Sequence, residues 1–171
     1  MPTIEVRPLA PSDDRSTFRS GNLDLDRFFV RYAGQNQFKH HIGTTYVAVL
    51  EERILGFATV SASHIETASL PRALRRRLPQ YPLPVLRLAR LAVDASAQGR
   101  GIGEELLRAV FLLSRDLSER VGCIGVVVDA KPEAAGFYER YGFRALDVVQ
   151  GQLGDRPQPL PMFLPLGLIP G

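Results

Sequence analysis

A glycine-rich turn between an apolar run and a strongly amphipathic stretch constrains this chain more than any other feature. Leu91-Ala92-Val93-Asp94 closes the run, Gln98-Gly99-Arg100-Gly101-Ile102-Gly103 forms the turn, and apolar residues then recur at Leu106, Leu107, Val110, Leu113 and Leu117. That spacing predicts a helix over 102–119 with one buried stripe. Backbone N–H groups in the first turn of such a helix have no internal partner, and the helix dipole favours negative charge there. Three glycines let an anion approach that backbone closely, Arg100 adds positive charge, and the loop itself holds no carboxylate. A strand–loop–helix unit suited to a pyrophosphate is expected. On its own the turn is equally compatible with a plain strand-to-helix connection. A dinucleotide fold also competes, with Asp129 as its ribose acid, but the spacing is not G-x-G-x-x-G. No Lys-Ser/Thr pair follows the glycines, which excludes a P-loop.

The rest of the chain reads as alternating strands and helices. Thr3 to Arg7 opens as a strand, and a helix runs from a cap at Asn22 or Asp24 to about Gln37, with Leu25, Phe28, Phe29 and Tyr32 on one face. Thr44 to Leu50 and Ile54 to Ser61 are separated by Glu51-Glu52-Arg53, which is hairpin spacing. Leu70 to Leu78 forms a short arginine-rich helix, Pro79, Pro82 and Pro84 enforce an extended connection, and Val85 to Val93 is a strand. Gly122 to Val128 is an apolar strand containing Cys123, read as a core thiol. A helix from about Glu133 to Arg140 stops at Gly142. Arg144 to Val149 and Pro161 to Leu166 supply final strands across a Gly/Pro-rich loop, with the prolines placing the last strand at an edge. The order is β-α-β-β-(α)-β-α-β-α-β-β, antiparallel first and with right-handed βαβ crossovers after Val93.

Composition bounds the function. At 171 residues, 45% hydrophobic and 23% charged, the chain is the size of one globular domain. No apolar stretch reaches the roughly 20 residues of a spanning helix, and the opening residues lack a signal-peptide pattern, so a cytoplasmic location is expected. One cysteine and three histidines without ligand spacing exclude a metal site of the familiar kinds. Only Lys39 and Lys131 among the 21 basic residues are lysines. Between Glu66 and Asp94 there is no acid, while Arg72, Arg75, Arg76, Arg77, Arg87 and Arg90 all fall there. Arginine forks suit phosphates. The segment reads either as a solvated basic face beside a phosphate-rich cofactor or as a nucleic-acid contact, with Arg76, Arg77, Arg87 and Arg90 as the candidates.

One βα unit beyond the loop comes Ala134-Ala135-Gly136-Phe137-Tyr138-Glu139-Arg140-Tyr141-Gly142-Phe143. Together the two segments resemble the GNAT N-acetyltransferases, which combine a Q/R-x-x-G-x-G/A loop with a downstream A-x-x-F-Y-x-x-x-G-F segment. The resemblance implies a single mixed α/β domain over 1–171, with a mostly antiparallel sheet of six to seven strands flanked by about four helices. It also implies acetyl-CoA as the donor. The backbone of Leu91, Ala92 and Val93 would pair with the pantetheine arm, while Gln98, Gly99, Arg100, Gly101, Ile102 and Gly103 would hold the pyrophosphate. Tyr138 would face the departing sulfur. In the family a neutral amine attacks the thioester directly. A thiol near pKa ~8.5 and a phenol near ~10 make proton delivery from Tyr138 inexpensive, and N–H groups around Ala92 or Val93 are available to an oxyanion. His64 and Glu66 lie near the place where relatives keep a base, but a surface-loop role explains them equally well. An α-amino group near ~7.7–8.0 needs less help from a base than a lysine near ~10.4.

Further segments are similar to the toxin-type GNAT proteins of bacterial toxin–antitoxin pairs, which acetylate the amino acid of charged tRNA. They are Phe18-Arg19-Ser20-Gly21 with Leu25-Asp26, Asn36-Gln37, Arg90-Leu91-Ala92-Val93-Asp94, and Met162-Phe163-Leu164-Pro165-Leu166. This likeness implies aminoacyl-tRNA as acceptor, a homodimer, and neutralisation by a small ribbon-helix-helix antitoxin. Acetylation of a small-molecule amine or protein N-terminus, or an inert GNAT-fold binding module, stand as alternatives.

Overall fold

The computed structural model describes residues 2–146 and 160–169. Its strands are β1 (Glu5–Pro8), β2 (Thr44–Leu50), β3 (Arg53–Ile65), β4 (Leu83–Val93), β5 (Gly125–Ala130), β6 (Arg144–Ala145) and β7 (Leu160–Pro165). They form one seven-stranded sheet in the order β1-β2-β3-β4-β5-β7-β6. The helices are α1 (Leu23–Arg27) and α2 (Ala33–Phe38), joined without a break by a π turn over Phe28–Tyr32, then α3 (Arg72–Arg75), α4 (Ile102–Arg120) and α5 (Ala135–Glu139). Counting the α1–π–α2 run as one, four helical segments accompany the sheet, as expected. The Gly/Pro-rich loop from Gly151 to Pro159 and the expected strand residues 147–149 lie outside the described residues. The chain divides into two compact units, Met1–Ser61 with Leu88–Leu112, and Ala62–Arg87 with Leu113–Gly171.

The first unit is built on an aromatic core. Phe29 stacks on Phe57 with ring centroids 4.4 Å apart, and Phe18 meets both rings edge-on. Leu9, Phe28, Ala33, Val47, Val49, Ile54 and Ala92 complete the cluster. The π turn decides which residues enter it. Adjacent Phe28 and Phe29 are both buried, and the wider turn brings Ala33 inward, leaving Tyr32 43% exposed where the helical period had placed it inside. Such turns need their displaced carbonyls satisfied. Arg15 does so, donating from Nη1 to the Phe29 carbonyl at 2.6 Å. Gly34 leaves that guanidinium its room, since a Cβ there would sit 2.8 Å from Arg15 Nη2. Antiparallel pairing of β1 with β2 and of β2 with β3 continues the unit. Gln37 stitches its edge, donating to the Leu9 carbonyl at 3.1 Å and accepting from the Thr45 N–H at 2.8 Å.

In the second unit Ile65, Leu70, Leu83, Val85, Val127, Leu146 and Phe163 form the core. β5 pairs antiparallel with β7 over six residues, and β7 with β6 over two. The last strand is therefore interior, not at the edge its prolines suggested. Leu166 donates to the Ile124 carbonyl, whereas the Pro161 carbonyl accepts from Leu146 on the opposite side. Backbone groups alternate sides along a strand, so the missing N–H groups of Pro161 and Pro165 face the side where β6 covers only two residues. The prolines are tolerated because that side asks little of them. Cys123 lies just before β5 rather than on it. Its buried thiol sits 3.4 Å from Ser114 Oγ and donates to the Gly125 carbonyl at 3.3 Å.

Candidate functional site

In the first unit β4 ends at Val93, a short 3-10 turn follows over Ala95–Ala97, and α4 begins at Ile102. Gly99 and Gly101 adopt φ of +81° and +80° with open space where a side chain would stand. Their need for glycine is conformational. Glu105 makes the first helical hydrogen bond, to the Gly101 carbonyl. Among the described residues, the N–H groups from Gly99 to Glu104 have no hydrogen-bond partner. A buried base supports this bare turn: Ile102 and Leu106 are fully buried, and a Cβ on Gly56 would lie 3.0 Å from each of them and from the Ala92 carbonyl. Glycine at position 56 lets α4 approach β3 and β4 closely. Donors, φ values and open space together fit a pyrophosphate.

Sequence reasoning missed what holds the loop. Asp94 is buried and accepts from the Arg19 N–H at 3.0 Å, the Ser96 N–H at 3.1 Å and Ser96 Oγ at 2.6 Å, with Arg53 Nη2 at 3.3 Å. Desolvation pushes its carboxyl pKa upward, but the bonds from Ser96 and Arg19 and the charge of Arg53 outweigh that and hold it below the ordinary aspartate value. Gln98 ties the loop to its neighbours as well. Its side chain donates to the carbonyls of Ser20 at 2.9 Å and Val93 at 3.1 Å. Leu91 and Val93 are half-buried and Ala92 is buried, while Arg100 is exposed.

In the second unit Tyr138 sits on α5, edge-on to Phe137 at 5.1 Å and to Phe143 at 5.4 Å. It is 5% exposed, and its hydroxyl makes no hydrogen bond among the described residues. Burial pushes the phenol pKa well above its ordinary value. Proton delivery from Tyr138 is thus dearer in the free protein than the ordinary phenol value implied, and the group stays a neutral O–H donor throughout the physiological range.

The candidate arginines occupy different settings. Arg76 and Arg77 are exposed in the turn after α3. Arg87 is committed to Asp129 through two contacts at 2.7 and 2.6 Å and approaches Ser63 at 3.3 Å. Asp129 is therefore an ion-pair partner in the place where a dinucleotide fold would use a ribose acid. Arg90, in the first unit, places its guanidinium carbon over the Phe28 ring, 3.8 Å from the centroid, and burial lowers its pKa. His64 and Glu66 are exposed. No cluster of three or more potential metal ligands occurs among the described residues, and no helix there is long and apolar enough to cross a membrane.

The sequence family described as acetyltransferase (GNAT) domain matches residues 41–145, more than half of the chain. The chain belongs to the GNAT acetyltransferases. A relative of this GNAT chain, the tRNA-acetylating toxin of Mycobacterium tuberculosis (strain ATCC 25618 / H37Rv), is 32% identical over 80% of this chain and 82% of its own length. Among solved structures, AtaT complexed with acetyl-methionyl-tRNAfMet superposes with a TM-score of 0.81 at 26% identity, over 96% of both chains. A Tyr-to-Phe mutant of the toxin AtaT, bound to the C-terminus of the antitoxin AtaR and acetyl-CoA, gives a TM-score of 0.74 at 25% identity, over 96% of this chain and 94% of that one. As a GNAT acetyltransferase the chain has the expected architecture and the expected loop–helix conformation.

Proposed function

We propose that this chain moves the acetyl group of acetyl-CoA to the α-amino group of an aminoacyl-tRNA, as the toxin of a toxin–antitoxin pair, with residues 1–171 acting as one acetyltransferase domain. The observation that carries the donor half is the row of unpartnered N–H groups from Gly99 to Glu104, opened by two glycines at positive φ. These groups bind the pyrophosphate, Arg100 adds charge beside them, and the backbone of Leu91 to Val93 aligns the pantetheine arm. Tyr138 supplies the proton that the departing thiolate takes up. Its raised pKa keeps that proton in place until negative charge develops on the sulfur.

The acceptor half rests on likeness to the tRNA-acetylating toxin and to AtaT in its acetyl-methionyl-tRNA complex. Exposed Arg76 and Arg77 and ring-stacked Arg90 contribute phosphate contacts. Arg87 contributes mainly through its pair with Asp129. An α-amino acceptor, which is already substantially neutral at about pH 7–8, also suits a chain whose His64 and Glu66 stand exposed. The proposal includes a homodimer and a small ribbon-helix-helix antitoxin; the likeness to AtaT bound to the C-terminus of the antitoxin AtaR supports an antitoxin partner.

The test supplies purified protein and labelled acetyl-CoA with charged tRNA, deacylated tRNA and a panel of free amines and peptide N-termini. Label retained on charged tRNA alone is the expected result. Label on free amines with charged tRNA untouched overturns the acceptor assignment, and no transfer to any acceptor overturns the enzyme itself.

A further inference from the structure

Residues Phe18 to Asp26 lie far from the phosphate loop in sequence, yet three polar links join them to its entrance. Arg19 uses both backbone groups: its N–H donates to Asp94, and its carbonyl accepts from Ala95 at 2.7 Å. The Ser20 carbonyl takes the Gln98 side-chain N–H, and the same Gln98 nitrogen also donates to Val93, the last residue of β4. Gln98 therefore bridges the end of the strand to the segment running beside it. Ser20 is fixed in turn from its other side. Its N–H donates to both Asp26 oxygens at 3.0 and 3.1 Å, its hydroxyl donates to Asp26 at 2.6 Å, and Asn22 N–H donates to that hydroxyl at 3.1 Å. Asn22 caps α1 through the Leu25 N–H. A continuous chain of hydrogen bonds thus leads from Asp26 in the first helix, through Ser20, to Gln98, the residue preceding Gly99.

The side-chain amide of Gln98 has two hydrogens, and one carbonyl partner for each. Using that group on a phosphate would require breaking a bond made here. Free anion donors are the backbone N–H groups beyond it, and their directions depend on where residues 98–101 are held. Two glycines at positive φ give this turn no stiffness of its own. Stiffness has to come from outside. The strap provides it on one side and the Gly56 contact beneath Ile102 and Leu106 on the other.

We infer that Phe18–Asp26 is a strap that positions the phosphate loop for the acetyl donor, with Ser20 and Asp26 as positioning residues and the Gln98 side chain as a brace rather than a phosphate ligand. This rests on the reading of Gly99–Glu104 as the pyrophosphate site. It gives the early Ser-Gly and Leu-Asp pairs, which never touch that loop's N–H groups, a share in donor affinity.

The experiment measures CoA binding by calorimetry and steady-state KM and kcat for acetyl-CoA and for acetyl-pantetheine, which lacks the pyrophosphate. The proteins are the full chain, Ser20→Ala, Ser20→Thr, Gln98→Ala and the Ser20→Ala/Gln98→Ala double variant. Removing the Ser20 hydroxyl is expected to weaken CoA binding and raise KM for acetyl-CoA about fivefold, the worth of about one hydrogen bond. KM for acetyl-pantetheine and kcat at saturation stay at the wild-type values, and Ser20→Thr restores affinity. Once the strap is loose, Gln98→Ala adds little further loss. A phosphate-ligating Gln98 would instead show its full loss in both backgrounds, and that result overturns the brace. Unchanged CoA affinity in Ser20→Ala also overturns it, as does an equal rise in KM for both donors, which marks general loosening. Failure of the wild-type chain to bind CoA overturns the pyrophosphate reading and the strap with it. Wild-type binding with an indifferent Ser20→Ala overturns the strap alone.

Discussion

The loop of the first unit and the tyrosine of the second are held in opposite ways. Above the apolar base of Ile102 and Leu106, the polar supports of Gly99–Gly103 lie outside the turn: Asp94, Gln98 and Ser20 make hydrogen bonds beside it and, among the described residues, leave its own N–H groups unpartnered. Around Tyr138 the supports are aromatic, with Phe137 and Phe143 edge-on and no hydrogen bond to the hydroxyl among the described residues. The difference matches the roles proposed for the two regions. A binding turn must present donors at fixed directions, so its fixing bonds are made by neighbours. A proton donor must keep its proton, and a dry aromatic setting disfavours the phenolate. Packing sets the chemistry in one region and hydrogen bonds set the geometry in the other.

That contrast can be broken at its supports. Gly125 in the second unit leaves no room for a side chain, since a Cβ would run into the Leu164 carbonyl oxygen across the β5–β7 pair. Gly125→Ala is expected to cost about 3 kcal/mol of stability, read from the denaturant midpoint; a midpoint within error of wild type would mean the strands part without cost. In the first unit Asp94→Ala strands the Arg19 and Ser96 donors and should cost about 2 kcal/mol. Its melting curve should also lose part of the acid sensitivity of the parent. The native Asp94 pKa lies below its unfolded value, so its contribution is present above the unfolded pKa and is lost as pH falls through the native one. An Asp94→Ala variant as acid-sensitive as the parent would contradict the role of these bonds in holding the Asp94 carboxylate. The smallest effect concerns Tyr138, whose pKa is raised by burial. Its contribution is whole below the unfolded phenol value near ~10 and declines as pH rises toward the native one. Tyr138→Phe should therefore flatten the alkaline arm of stability against pH, and an unchanged arm would mean the ring ionises as freely folded as unfolded.

Local pattern revealed the parts that local physics decides. The apolar stripe of α4, the Glu51-Glu52 hairpin and the glycine turn all follow from period, turn chemistry and helix-end electrostatics. Strand order did not, because the position of β7 between β5 and β6 depends on which side its missing N–H groups face, a property of pairing rather than composition. The inward turn of Ala33 in place of Tyr32 depends on a π turn sustained by Arg15, distant in sequence. The positive-φ turn at Gly99 and Gly101 and the helical placement of Tyr138 were legible from the two motifs. Gln98 was legible as a member of the loop but not as a brace, since both of its carbonyl partners are backbone groups that leave no mark in sequence. Arg87 looked free in a stretch without acids, and its partner Asp129 comes from another strand.

The role proposed for Tyr138 comes into play only after the donor is bound. Rapid-quench acetyl transfer, with acetyl-CoA saturating and charged tRNA in excess, separates that step from binding. The expected result for Tyr138→Phe is transfer slowed by about 100-fold with CoA affinity within about twofold of wild type. Transfer at the wild-type rate would contradict it.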